Sequence, residues 1–231
     1  ATTGQPKYRA PFEPLVPGIR FVKFNDVGDL ERKFDASVCA VGIETIQGEG
    51  GVRPVSKEFL KAARRLTRRH GALLLLDEIQ CGLGRTGRHF AYQHYGITPD
   101  VVTVAKPIAA GLPLGAILTT NKAASCIHPG MHGTTFGGGP LACAVALEVQ
   151  RVTNGLLTHI ERLGRYFRSH LETLKFKHKG MVEVRGMGLM IGMELESADR
   201  AKAIVVHLLD HGVLINRTHN TVLRFLPPYI I

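Results

Sequence analysis

Two short apolar runs in this chain each end on a residue that a protein interior should not leave unpaired. Leu73-Leu74-Leu75-Leu76 ends on Asp77, and Val101-Val102-Thr103-Val104-Ala105 ends on Lys106. An acid after one buried strand and a lysine after the next point to a shared site at one edge of a sheet, where open α/β sheets hold their ligands. A third polar residue, Glu44, follows the run Val38-Cys39-Ala40-Val41-Gly42-Ile43. The acid–lysine pair has the chemistry that pyridoxal phosphate (PLP) requires. A lysine amine forms a Schiff base with the cofactor's aldehyde, and a carboxylate keeps its pyridinium nitrogen protonated. Pro107 to Gly115 adds no other charge after Lys106. The sequence therefore predicts an apolar setting that disfavours the charged form of the amine.

Further residues could serve such a site. Glu49 lies in the tight stretch Gln47-Gly48-Glu49-Gly50-Gly51. Arg224 sits within the apolar strand Val222-Leu223-Arg224-Phe225-Leu226 and needs an anionic partner there. That partner is either a structural acid or a substrate carboxylate, which the planar guanidinium fork suits. The loop His132-Gly133-Thr134-Thr135-Phe136-Gly137-Gly138-Gly139-Pro140 offers backbone amides and two hydroxyls to an anion. Read blandly, it is a flexible connection before a helix. Four apolar residues followed by Asp77-Glu78 also resemble the Walker B strand of a P-loop nucleoside triphosphatase, with Asp77 on magnesium and Glu78 orienting water. No GxxxxGK[ST] loop accompanies it.

The elements that must position these groups alternate between strand and helix through the first half. Strands are expected at 38–43, 72–76, 101–104 and 115–120. A helix capped by Ser56 runs to about His70 and stops at Gly71. Continuous apolar strands between helices predict a mainly parallel sheet covered on both faces. An Ala-rich helix begins near Leu141. A second, amphipathic helix spans about 156–174 with Ile160, Leu163, Phe167, Leu171 and Leu174 on one stripe. Beyond it come a hairpin over 181–195 bending at Gly186 and Gly188, a helix over 198–211, and strands near 213–215 and 222–225. The expected organisation is α/β: residues 1–150 form part of a large domain, and 151–231 an incomplete, C-terminal α+β domain.

Composition narrows the function. The chain has 231 residues, 45% hydrophobic and 21% charged, enough for a sizeable core. No apolar run reaches spanning length. Ala1 to Lys7 carries neither a signal nor a transit pattern, and with no initiator Met both ends read as cut. Cys39, Cys81, Cys126 and Cys143 form no CxxC pair, which suits reduced thiols in a cytoplasmic protein. His207 and His211 share a helical face without a third ligand, so no metal is expected. The net charge of +10 includes the cluster Arg64, Arg65, Arg68, Arg69 and His70. With aromatics at 6% and no nucleic-acid motif, the cluster reads as a solvated helix face, not a nucleic-acid patch.

Five stretches, in order and at matching spacing, resemble the class III aminotransferases: Glu44-Thr45-Ile46-Gln47-Gly48-Glu49-Gly50-Gly51, Asp77 through Gly87, Ala105-Lys106, His132 through Gly138, and Arg185-Gly186-Met187-Gly188-Leu189. The resemblance covers essentially the whole chain. It implies a fold type I PLP-dependent transferase that works as a homodimer with shared active sites. Lys106 would bind the cofactor covalently and shuttle a proton. Asp77 would pair with the pyridine nitrogen, Ile79 would pack on the ring, and Gln80 would bond near the ring hydroxyl. Thr135 would reach the cofactor phosphate in the neighbouring subunit's site, and Thr134 the substrate there. Arg224 would bind a substrate carboxylate, and Glu49 would mask it. The implied reaction moves the ω-amino group of N-acetylornithine to 2-oxoglutarate, as in arginine biosynthesis. Ornithine, succinylornithine, 4-aminobutyrate and acetyl-lysine remain alternative donors. The family's main phosphate loop, ring-stacking aromatic and second substrate arginine would lie upstream of this chain.

Overall fold

The apolar runs that end on Glu44, Asp77 and Lys106 form neighbouring strands of one sheet. The structure, a computed structural model, describes residues 2–231; Ala1, first residue of the expected large domain, lies outside them. In chain order the elements begin with α1 (Pro6–Arg9), α2 (Val27–Lys33), β1 (Ala40–Glu44), β2 (Ile46–Gln47), β3 (Arg53–Pro54) and α3 (Lys57–His70). They continue with β4 (Leu73–Asp77), β5 (Val101–Val104), β6 (Ala116–Thr119), α4 (Asn121–Ala124) and α5 (Pro140–Lys177). Last come β7 (Met181–Met187), β8 (Met190–Leu195), α6 (Ala198–Asp210), β9 (Asn216–Thr218) and β10 (Val222–Phe225).

The first sheet has the order β1-β4-β5-β6. β1, β4 and β5 are parallel, and β6 returns antiparallel to β5. Alternation along β4 buries Leu74 and Leu76 completely, in a cluster with Leu60, Ala63 and Leu66 of α3. Helix α3 forms where the sequence places its stop signals. The Ser56 hydroxyl accepts the Phe59 amide at 3.1 Å, and Gly71 closes the helix at φ 68°. Arg64, expected on a solvated face, instead turns inward to Asp100 at 2.8 Å. The opposite sheet face, which carries Asp77 and Thr103, is only partly buried, and Ile117 on edge strand β6 is 69% exposed. Cover on both faces, as the sequence suggested, is therefore not complete within these residues.

The two helices expected around residues 141 and 156–174 are one helix, α5, of 38 residues. Thr153, Asn154 and Gly155 resemble a break in the sequence but stay helical. Of the expected stripe, Ile160 and Leu171 are buried, whereas Leu174 is 41% exposed. Helix α5 touches the turn after β5 at one end and β7 and β8 at the other. The second sheet is antiparallel throughout, in the order β7-β8-β10-β9. Its hairpin turns through Gly188 and Leu189, and Gly186 lies within β7. The strand expected at 213–215 falls three residues later, because Asn216–Thr218 pairs with β10 through the left-handed turn residues His219 and Asn220.

One close approach joins α5 to this sheet. A Cβ added at Gly164 would lie 2.3 Å from the Gly188 carbonyl oxygen, and backbone cannot retreat like a flexible side chain. Gly164→Ala is therefore expected to cost about 2–3 kcal/mol and to lower the melting temperature by roughly 2–4 °C. An unchanged melting curve of the full-length protein would refute this packing.

Asp29 anchors the segment before β1. Its carboxylate accepts the Lys23 amide at 2.8 Å and the Lys33 ammonium at 2.9 Å. The amide bond, then the Lys33 hydrogen bond, lower its pKa from 3.8 to about 2. A depressed carboxylate stabilises the fold above its unfolded pKa, and loses that contribution as the pH falls through its folded value. The stability difference between the wild type and Asp29→Asn should thus be full at neutral pH and shrink between about pH 4 and pH 2. Acid titrations of unfolding check this, and a difference that stays constant would contradict it.

Candidate functional site

The carboxyl ends of β1, β4 and β5 bring three polar side chains to one sheet edge. Glu44 and Asp77 are register partners across β1 and β4, and Asp77 is the partner of Thr103 across β4 and β5. Asp77 Oδ1 accepts the Ile79 amide at 3.0 Å and the Thr103 hydroxyl at 3.2 Å. Its Oδ2 has no hydrogen-bond partner among the described residues, so an acceptor stands ready for an N–H from above the sheet. Thr103 is an orienting residue that sequence reasoning missed. The signal was present, as the one hydroxyl in an otherwise aliphatic strand.

Lys106 follows β5 and opens a short 3₁₀ turn, with φ 37° reversing the chain away from the sheet. The sequence predicts an apolar, desolvated setting, but Lys106 is exposed. Its apolar followers Ile108 and Ala109 are buried instead, packed with Val104 and Ala146. In this chain taken alone, the turn is buried and the amine is exposed. Lys106 is near enough to Glu44 and Glu49 to act electrostatically on both carboxyls.

A second cluster adjoins the first. Arg224 is 9% exposed, and its Nη1 donates to Glu49 Oε1 at 2.7 Å and to Gln80 Oε1 at 3.1 Å. Its Nε donates to Asn216 Oδ1 at 3.2 Å. The anionic partner that a strand-borne arginine needs is thus Glu49. The Arg224 hydrogen bond is the main reason that the Glu49 carboxyl lies below its ordinary range. Thr218 holds the loop from the other side, donating to the Glu49 carbonyl oxygen at 2.8 Å. Glu49 itself is 59% exposed, so it can leave without unpacking the core. Asn216 and Thr218 were not singled out in the sequence. Their relevance depends on the β9–β10 register.

Ile79 and Gln80 are half-buried beside Asp77. Thr134 and Thr135 are exposed, and Thr134 Oγ1 accepts only the Gly137 amide, at 3.2 Å. Among the described residues no hydrogen bond joins either threonine to Asp77, Gln80, Lys106 or Arg224. This chain alone therefore does not bring the two threonines to the sheet edge.

Glu78 decides against the nucleoside-triphosphatase reading. It is buried, and it accepts the Ala91 and Tyr92 amides at 2.7 and 2.8 Å and the Thr45 hydroxyl at 3.1 Å. Desolvation raises its pKa. A carboxyl so occupied cannot orient a water on magnesium. Among the described residues no group of His, Cys, Asp and Glu could hold a metal ion, and no helix is long and apolar enough to cross a membrane.

The two clusters offer an acceptor for a ring N–H at Asp77, an amine for an aldehyde at Lys106, an apolar side chain at Ile79 and a carboxylate-binding cation at Arg224. This donor set fits PLP at its ring and aldehyde. A phosphate partner is not among the residues gathered here.

Comparison with known proteins gives the same direction. The family model for aminotransferase class-III matches residues 1–231. The chain is 46% identical to the acetylornithine aminotransferase of Caldanaerobacter subterraneus subsp. tengcongensis, over 99% of this chain and 58% of that protein. It is 47% identical to the succinylornithine transaminase of Yersinia pseudotuberculosis, over 99% of this chain and 56% of that one. Among solved structures, the ornithine aminotransferase of Toxoplasma gondii, described with PLP partially occupying its active site, superposes with a TM-score of 0.90. There the identity is 40%, over 95% of this chain and 53% of the other. The α/β architecture is thus shared with PLP aminotransferases, and the chain spans little more than half the length of these relatives.

Proposed function

The chain belongs to the class-III aminotransferases, and on that premise we propose that the full-length protein is a PLP-dependent transaminase moving the ω-amino group of N-acetylornithine to 2-oxoglutarate. The observation that carries this reading is Asp77 and Lys106 on adjacent strand ends beside the Glu49–Arg224 pair. We further propose that it works as a homodimer, and that residues 1–150 and 151–231 belong to a large and a small domain bridged by α5.

PLP, when bound, supplies a carbonyl that captures the amine and a ring that takes up the electron pair released at carbon. Every other part is played by the chain. Asp77 Oδ2 would accept the ring N–H and keep that nitrogen positive, while Thr103 and the Ile79 amide hold the carboxylate in place. Ile79 would cover one ring face, and Gln80 would bond near the ring hydroxyl. Lys106 Nζ would anchor the cofactor and, once the substrate amine has displaced it, would carry a proton from the substrate's amine-bearing carbon to the cofactor's aldehyde carbon. The partner subunit's Thr135 would hold the phosphate, and the partner subunit's Thr134 would touch substrate.

Arg224 binds a carboxylate of 2-oxoglutarate. The amino donor presents no such carboxylate at that point, and Glu49 then neutralises the arginine. An exposed acid on a glycine-rich loop suits this exchange. Arg224→Ala is expected to raise KM for 2-oxoglutarate about 10- to 100-fold, the size of a charge-assisted bond, with a smaller change for the amino donor. Equal losses for both substrates would contradict the assignment.

The substrate test is glutamate formation by the full-length protein from N-acetylornithine, N-succinylornithine, ornithine and 4-aminobutyrate. The largest kcat/KM should belong to N-acetylornithine. A preference for N-succinylornithine would follow the relative from Yersinia and change the acyl group alone. Activity with none would overturn the reading.

A further inference from the structure

Glu44 has no part in the scheme above, yet it ends β1 beside Asp77. Its Oε2 accepts the Gly48 amide at 2.9 Å. Burial raises its pKa, the Gly48 bond opposes that rise, and the neighbouring Asp77 charge adds to it. A neutral amide side chain could accept the same bond without desolvating a charge next to another acid.

The Gly48 carbonyl oxygen accepts the Gly51 and Val52 amides at 3.3 and 3.4 Å, closing the turn that carries Glu49. Gly48 also lies against Gln80, where an added Cβ would fall 2.2 Å from the Oε1 atom. That same Oε1 accepts from Arg224, and Gln80 Nε2 donates to Glu49 at 3.4 Å. One hydrogen bond accepted by Glu44 therefore seats the loop whose far side sets Glu49 and Gln80 against Arg224.

We propose that Glu44 is a positioning residue of this site: by accepting the Gly48 amide it seats the Glu49 loop. The loop-seating role stands on geometry alone. Its effect on 2-oxoglutarate rests on the transaminase reading.

Two variants of the full-length protein separate the acceptor from the charge. Glu44→Gln keeps an acceptor for Gly48 and removes the charge, whereas Glu44→Leu removes both. Hydrogen exchange of the Gly48–Val52 amides reads the seating without catalysis.

Glu44→Leu should speed exchange of the Gly48 amide about tenfold or more and raise KM for 2-oxoglutarate more than it lowers kcat. Glu44→Gln should restore protection and KM. If Glu44→Leu fails to fold, Glu44→Ala removes the same acceptor with a smaller side chain and should raise KM likewise. Protection unchanged in the variant without an acceptor, or lost equally in Glu44→Gln, would overturn the seating. Protection lost as expected in a protein without transaminase activity would sink the proposed function and leave the seating intact.

Discussion

Lys106→Ala in the full-length protein is expected to lower transaminase turnover on the order of 10⁴-fold, the upper range for loss of a positioned proton-transfer group. The buried followers of Lys106, Ile108 and Ala109, pack with Val104 and Ala146 without it, so the turn should keep its shape. Small primary amines added to this variant should restore part of the rate, because they supply the missing base from solution. Single-turnover measurements with and without added amine check both statements. More than about 1% residual activity would remove Lys106 from the central role.

Asp77→Asn is expected to cost about 10²- to 10³-fold, the size of losing one preorganised electrostatic partner. Asn keeps the Oδ1 acceptor that binds the Ile79 amide and the Thr103 hydroxyl, so the strand end should hold its shape. What disappears is the negative charge proposed to keep a ring nitrogen protonated. The loss should therefore fall on kcat, with affinity for PLP changing less. A fall in stability as large as the fall in rate would recast Asp77 as a structural strand cap. The two variants also differ in kind, since added amines should not rescue Asp77→Asn.

Much of this site is legible in the sequence, because its chemistry follows strand ends that apolar runs mark clearly. Strands β5 and β10 fall on the residues their patterns indicate, and Ser56 and Gly71 bound α3 as capping chemistry requires. What stays hidden depends on contacts distant in the chain. Nothing local tells that β6 runs antiparallel, or that Glu44 and Asp77 share a register. Polar residues and a glycine at 153–155 look like the end of a helix, yet tertiary packing carries α5 straight through. Val213 and Leu214 have strand composition but are exposed, and the turn at His219 and Asn220 assigns the pairing to Asn216–Thr218 instead. The apolar followers of Lys106 pack inward on Val104 and Ala146, and in this stretch of chain, little more than half the length of its relatives, the lysine itself is exposed.

Glu78 teaches the same lesson from the other side. By sequence it is as good a candidate as Asp77, one residue away at the end of the same strand. Only the structure separates them, by committing Glu78 to two backbone amides and a hydroxyl while leaving one Asp77 oxygen open. Adjacent side chains at a strand end face opposite sides of the sheet, so one serves the core and the other the site.

The central claim is that Lys106 is the residue that holds the cofactor. The full-length protein should be mixed with PLP, reduced with borohydride, digested and mapped for the labelled lysine. A visible absorption band that bleaches on reduction, with the label on Lys106, is the predicted result. A label spread over surface lysines, or no band at all, would contradict it.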